Sequence, residues 1–142
     1  MRYLLLSLFL LLPGLTWAPQ TTDLVLLRSV LCHWETRGER NPQEAIGLGQ
    51  EIGRCQIKPS SARMAMPDVP LAELLVRLVV RPEPIAEAIL TECQLRRIGA
   101  FALADCYHRG PYASGVPTGR DREYAKQAAS DYAEAYRKRI AR

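Results

Sequence analysis

The sequence contains no apolar run long enough to cross a membrane. Its longest, Leu4 to Leu12, covers about nine residues against roughly 20 for a spanning helix. It has no C-x-x-C pair, which argues against a zinc knuckle and a thioredoxin-type redox centre. His33 and His108 are its only histidines and lack companions at ligand spacing, so neither a metal site nor a cofactor is expected. Basic residues are not gathered into one face. Arg is scattered along the whole chain, which argues against nucleic acid as the partner. There is no internal repeat and no low-complexity stretch. At 142 residues the chain is too short for two ordinary domains. What is present, 48% hydrophobic and 24% charged residues, describes a globular protein, and a net charge of +4 mildly favours an anionic polymer as partner.

Residues 1–18 read as an address rather than as part of the fold. Arg2 supplies a positive start, Leu4 to Leu12 an apolar stretch, Pro13-Gly14 a helix break, and Thr16-Trp17-Ala18 small residues at the positions a signal peptidase reads. Pro19 is a poor residue after a cut, so the cleavage point stays open. The expected mature domain is 19–142, periplasmic, monomeric and free of the membrane.

Four cysteines, Cys32, Cys55, Cys93 and Cys106, lie in that part. An even count in a small exported domain reads as two disulfides, with three connectivities possible. A short chain reversal between two helices favours Cys93–Cys106, and Cys32–Cys55 follows.

Hydrophobic spacing predicts a mainly α fold of five to six helices with one long loop or small β element. Leu24, Leu27, Val30, Leu31 and Trp34 recur at helical spacing behind an Asp23 cap, with Gly38 as the stop. Residues 38–57 form the loop. Further helices are expected from Pro59 to Met66, Leu71 to Val80, Pro84 to about Arg97, Ile98 to Tyr107, and Asp121 to the end. Ile98, Phe101, Ala102 and Ala104 are candidate packing residues. Tyr124, Ala128, Tyr132 and Tyr136 make a stripe on the last helix. Arg137-Lys138-Arg139 at its end reads as a solvated face.

The long loop starts just after Glu35, at the end of an apolar helix. From there the sequence resembles a family. Glu35-Thr36, Asn41-Pro42, Gly53-Arg54-Cys55-Gln56 with Pro59, and Ala102-Leu103-Ala104-Asp105-Cys106-Tyr107-His108-Arg109-Gly110-Pro111 follow the order of the lytic transglycosylases with a lysozyme-like fold. The family pattern is Glu-Ser, Asn-Pro, Gly-x-x-Gln-x-x-Pro, and an Ala-rich helix ending in Tyr-Asn-x-Gly-Pro. The resemblance covers nearly the whole mature chain. It implies that Glu35 is the catalytic acid and then base, and that Gln56, Tyr107, Thr36, His108 and Tyr124 bind the substrate, peptidoglycan. The small size resembles the versions that open the wall for conjugation, secretion or pilus machinery.

The chemistry is sound without the name. A carboxyl donates a proton at neutral pH only where its surroundings resist its ionisation. Glu35, beside Trp34 and under a loop, is placed for that by desolvation. Three departures stand out: Thr36 where Ser is usual, His108 where Asn is usual, and Ala45-Ile46-Gly47, without a hydroxyl, where a Ser commonly precedes the Gly-x-x-Gln segment. Two other readings remain open. One is a lysozyme-type hydrolase using a second carboxylate from Glu39, Glu44 or Glu51, with Glu51 nearest the motif. The other is a non-catalytic glycan-binding or scaffold module.

Overall fold

A computed structural model describes residues 21–37 and 39–142. The expected signal segment 1–18 and the expected stop at Gly38 lie outside the described residues.

Among the described residues six α-helices follow in order: α1 (Leu24–Glu35), α2 (Pro59–Ala65), α3 (Leu71–Val80), α4 (Glu83–Gln94), α5 (Ala100–Arg109) and α6 (Gly119–Ile140). The fold is mainly helical, as the spacing predicts. Helix α1 begins where Asp23 accepts the N–H of Leu26 at 3.0 Å. Its inward face is Leu27 and Leu31, both fully buried. Helix α4 lies at the centre: Ile85, Ala86, Ile89, Leu90 and Cys93 are buried on it, and it packs on α1, α2 and α5. Leu74 and Leu78 of α3, Leu103 and Ala104 of α5, and Ala125 and Ala128 of α6 complete the core.

Helix α6 runs back along α1. Tyr124 meets Glu35 at one end, and at the other the Asp23 N–H donates to the Tyr132 hydroxyl at 2.8 Å. Arg139 reaches Asp23 Oδ2 at 2.6 Å, and Trp34 Nε1 donates to Asp131 Oδ2 at 2.6 Å between them. The tyrosine stripe is thus mostly a packing edge. Small Ala125 and Ala128 let the helices approach, and Tyr124 and Tyr132 pack against the core beside them.

The junction of α4 and α5 departs from the sequence reading. Helix α4 ends at Gln94 rather than near Arg97, and α5 begins at Ala100 rather than Ile98. Gly99 sits between them at φ +89°, a conformation that glycine adopts without penalty and that ends helical continuity. Ile98 therefore falls in the link, 84% exposed, and is not a packing residue; Phe101 is likewise at the surface, while Ala104 is buried as expected.

The loop between α1 and α2 holds one 3-10 turn at Pro42–Glu44 and two isolated antiparallel bridges, Ile46 with Ile52 and Ile52 with Ile57. This is the small β element. Gly53, at φ +72°, is its pivot: its N–H donates to Ala45 O at 2.9 Å, and a Cβ there would lie 2.1 Å from the Leu78 carbonyl oxygen of α3. Two disulfides are present. Cys32–Cys55 fastens the loop to α1, and Cys93–Cys106 fastens α4 to α5. Cys93–Cys106 is the pair the chain reversal favours, and Cys32–Cys55 the one that follows from it.

Candidate active site

A cleft of about 360 Å³ opens between the end of α1, the 47–58 loop and the end of α5. Glu35, Glu51, Gln56, Lys58, Tyr107, His108 and Arg109 line it, with Ile57 and Ile89 as apolar floor and the Gly47-Leu48-Gly49 turn as rim.

Glu35 is the last residue of α1, so its side chain leaves the helix toward the cleft rather than along the core face. Its side chain keeps 16% of its exposure. The Tyr124 hydroxyl donates to Glu35 Oε1 at 2.6 Å. His108 Nδ1 stands 3.9 Å from the same oxygen, a charge contact rather than a hydrogen bond. The other face of that imidazole is occupied: Nε2 lies 3.3 Å from Asp121 Oδ1, and the ring stacks on Tyr124 with centroids 4.2 Å apart. Contact with Glu35 raises the His108 pKa above its ordinary value against the opposing effect of burial, and Glu35's charge and Asp121 add to the rise.

Tyr107 is buried behind Glu35. Burial first, and the Glu35 charge second, push its hydroxyl well above the usual phenol range. That hydroxyl donates to the Cys55 carbonyl at 2.9 Å. It therefore binds α5 to the loop and is not bonded to Glu35. Gln56 is likewise committed. It sits at φ +44°, and its amide N–H groups donate to Ala45 O at 3.2 Å and Gly53 O at 2.9 Å. Its Oε1 lies beside the Gly47 turn, where a Cβ on Gly47 would be 2.5 Å away. Neither residue orients the Glu35 carboxyl directly; both shape the cleft in which it stands.

Thr36 does not line the cleft. It is buried, with its hydroxyl donating to Cys32 O at 3.4 Å and Arg54 O at 3.3 Å, and it faces a separate hollow beside Arg28 and His33. Neighbouring side chains at a helix end point about 100° apart, so Glu35 and Thr36 face different ways. A direct sugar contact by Thr36 is not what this geometry provides. Tyr124 also lies outside the cleft lining, behind His108, and acts on Glu35 from below.

Three features escaped the sequence reading. Asp121 partners His108; its place three residues before Tyr124, on the same face of α6, was a signal available in advance. Glu51, already named as the loop carboxylate nearest the motif, has an unforeseen partner in Lys58 at 3.5 Å on the same loop, with the Gly49 N–H donating to Glu51 at 2.8 Å. Burial works against ionising Glu51, but the backbone N–H groups of Glu51 and Gly49 and the Lys58 ammonium outweigh it and lower its pKa. Third, Asp105 is 1% exposed and is held by both Arg97 and Arg109, which also reach the carbonyls of Ala113, Ser114 and Gly115. This braces the 110–118 loop beside the cleft.

Among the described residues no three His, Cys, Asp or Glu side chains are grouped to hold a metal ion, and no helix is long and apolar enough to cross a membrane. No family model matches the chain, and neither a curated protein nor a solved structure matches it.

Proposed function

We propose that the chain is a periplasmic peptidoglycan lytic transglycosylase that cleaves the bond between N-acetylmuramic acid and N-acetylglucosamine without water. The observation that carries this reading is Glu35: a carboxyl mostly withdrawn from solvent, lining a cleft, with Tyr124 and His108 gathered on one of its oxygens. In this reading the protonated Glu35 gives its proton to the glycosidic oxygen as that bond breaks. The acetamido group of the muramic acid stabilises the positive centre. The Glu35 carboxylate then takes the proton of the C6 hydroxyl, whose oxygen closes a 1,6-anhydro ring. One proton leaves Glu35 and one returns, so the enzyme ends as it began.

Glu51 gives specific support to a second reading, hydrolysis. It lies in the same cleft, and its backbone donors and Lys58 favour the ionised form that a general base or nucleophile requires. One experiment separates the two. Purified protein with intact disulfides is incubated with peptidoglycan and the released muropeptides are weighed. Anhydro ends, lighter than reducing ends by one water, support the transglycosylase; reducing ends support the hydrolase. Glu35→Gln, checked for folding by circular dichroism, is expected to abolish release. Undiminished release by that variant, or none by the wild type, would refute the assignment.

A further inference from the structure

The most unusual element of the cleft is an imidazole pressed against the candidate acid. His108 belongs to α5 and is bounded by two other elements. From α1 comes Glu35, 3.9 Å from Nδ1. From α6 come Asp121, 3.3 Å from Nε2, and Tyr124, stacked on the ring. On its own helix the neighbouring Arg109 is turned to Asp105, with Nη2 on Oδ2 at 2.6 Å, and so does not compete for Glu35. Helix α4 brings no charged side chain into an ion pair with His108. The ring is thus held between two carboxylates, one of them the proposed acid, in an orientation fixed by stacking.

We propose that His108 is a pH-responsive positioning residue. When protonated, its charge favours the ionised form of Glu35 and suppresses proton donation; when neutral, it releases that restraint. Asp121, holding the imidazole's other nitrogen, adds to the upward push that Glu35 gives the pH at which this happens. The consequence for catalysis rests on the transglycosylase reading, whereas the charge coupling does not. An amide at this position has no proton to gain in this range, so it would never impose this restraint on the acid.

The sign follows from the contacts. Glu35 and Asp121 both raise the His108 pKa, so the restraint is in force below that raised value and lifts as pH climbs through it. The size follows from distance and exposure. The imidazole is 35% and the carboxyl 16% exposed, so the water-like limit, about fivefold in the population of the protonated acid for a unit charge at about 4 Å, is the smallest effect expected.

The test has two arms. In the first, the His108 imidazole nitrogens and the Glu35 carboxyl carbon are followed by NMR across pH in the wild type, His108→Asn and Asp121→Asn. Coupling predicts a second inflection in the Glu35 signal at the pH where His108 titrates. It should be absent in His108→Asn and moved to lower pH in Asp121→Asn together with the imidazole signal. In the second, the ratio of the muropeptide release rate of His108→Asn to that of the wild type should rise by about fivefold or more as pH falls through the His108 inflection, and stay flat above it. A Glu35 signal unaltered by His108→Asn, or a rate ratio independent of pH, overturns the proposal. If the wild type releases no muropeptides, the functional reading fails and the NMR arm alone decides this one.

Discussion

Replacing Asp105 with Asn should cost the fold about 3 kcal/mol, and the structure says why. Asp105 lies 1% exposed, with Arg109 Nε on Oδ1 at 2.5 Å, Arg109 Nη2 on Oδ2 at 2.6 Å, and Arg97 Nη1 on Oδ2 at 3.4 Å. Asn keeps the shape but removes the charge and replaces one acceptor by an N–H₂ donor that faces guanidinium donors. Breaking a buried ion pair from one side costs about 3–5 kcal/mol because the partner charge stays behind. Here Arg97 and Arg109 retain 22% and 16% exposure, so part of their hydration is recoverable and the lower end applies. Against a total of about 5–15 kcal/mol for a domain, this is a large share. With a urea slope of about 2 kcal/mol/M, the midpoint should fall by about 1.5 M. Loosened arginines should also free the 110–118 loop, seen as faster amide exchange there than in α4. A midpoint change corresponding to less than about 1 kcal/mol would refute the argument, since it would mean that the cluster behaves as a solvent-screened surface pair.

Tyr124→Phe removes one oxygen and leaves the ring to stack on His108. It should cost about 1.5 kcal/mol of stability through the lost donor to Glu35 and lower muropeptide release by about tenfold, with KM nearly unchanged; release at the wild-type rate would count against any part for this hydroxyl. Gly53→Ala meets two obstacles, a φ of +72° and a Cβ placed 2.1 Å from the Leu78 carbonyl oxygen, which nothing flexible relieves. A loss of more than about 2 kcal/mol by thermal melting is expected, and a neutral result would mean that the loop does not rest on α3 as described.

Periodicity made the helices readable because each buries one apolar stripe: Leu27 and Leu31, Leu74 and Leu78, and Ile89 with Cys93 recur at helical spacing and are all buried. It erred at residues 95–99, where a single positive φ at Gly99 outweighs the apolar character of Ile98. The candidate site was readable to the level of which residues gather. Glu35, Gln56, Tyr107 and His108 do line one cleft. What each does there was not, and the reason is physical. Residue spacing says nothing of backbone carbonyls, and it is Ala45, Gly53 and Cys55 that claim the Gln56 amide and the Tyr107 hydroxyl. The partner that does reach Glu35, Tyr124, lies 89 positions away, across a packing of α6 on α1 that no local pattern specifies.

The cysteines explain how so exposed a loop can hold a cleft in shape. One cysteine of each pair is adjacent to a lining residue: Cys55 precedes Gln56, and Cys106 precedes Tyr107. The Tyr107 hydroxyl closes on the Cys55 carbonyl. A continuous strap therefore passes beneath the cleft, from α1 through Cys32–Cys55 to the loop, by the tyrosine hydrogen bond to α5, and through Cys106–Cys93 to α4. Three of its links are covalent or buried, so they hold whether or not the loop's own two bridges persist. A site residue is only as well placed as its support. Gln56 and Tyr107, assigned by resemblance to bind the substrate, spend their donors elsewhere: Tyr107 on this strap, and Gln56 on the Ala45 and Gly53 carbonyls of the loop. Their contribution is to fix where Glu35, His108 and the Glu51–Lys58 pair stand relative to one another. A cleft whose walls are supported this way presents its charged groups in one arrangement before any ligand arrives, and such preorganisation is what the proposed proton transfer to a sugar oxygen would require.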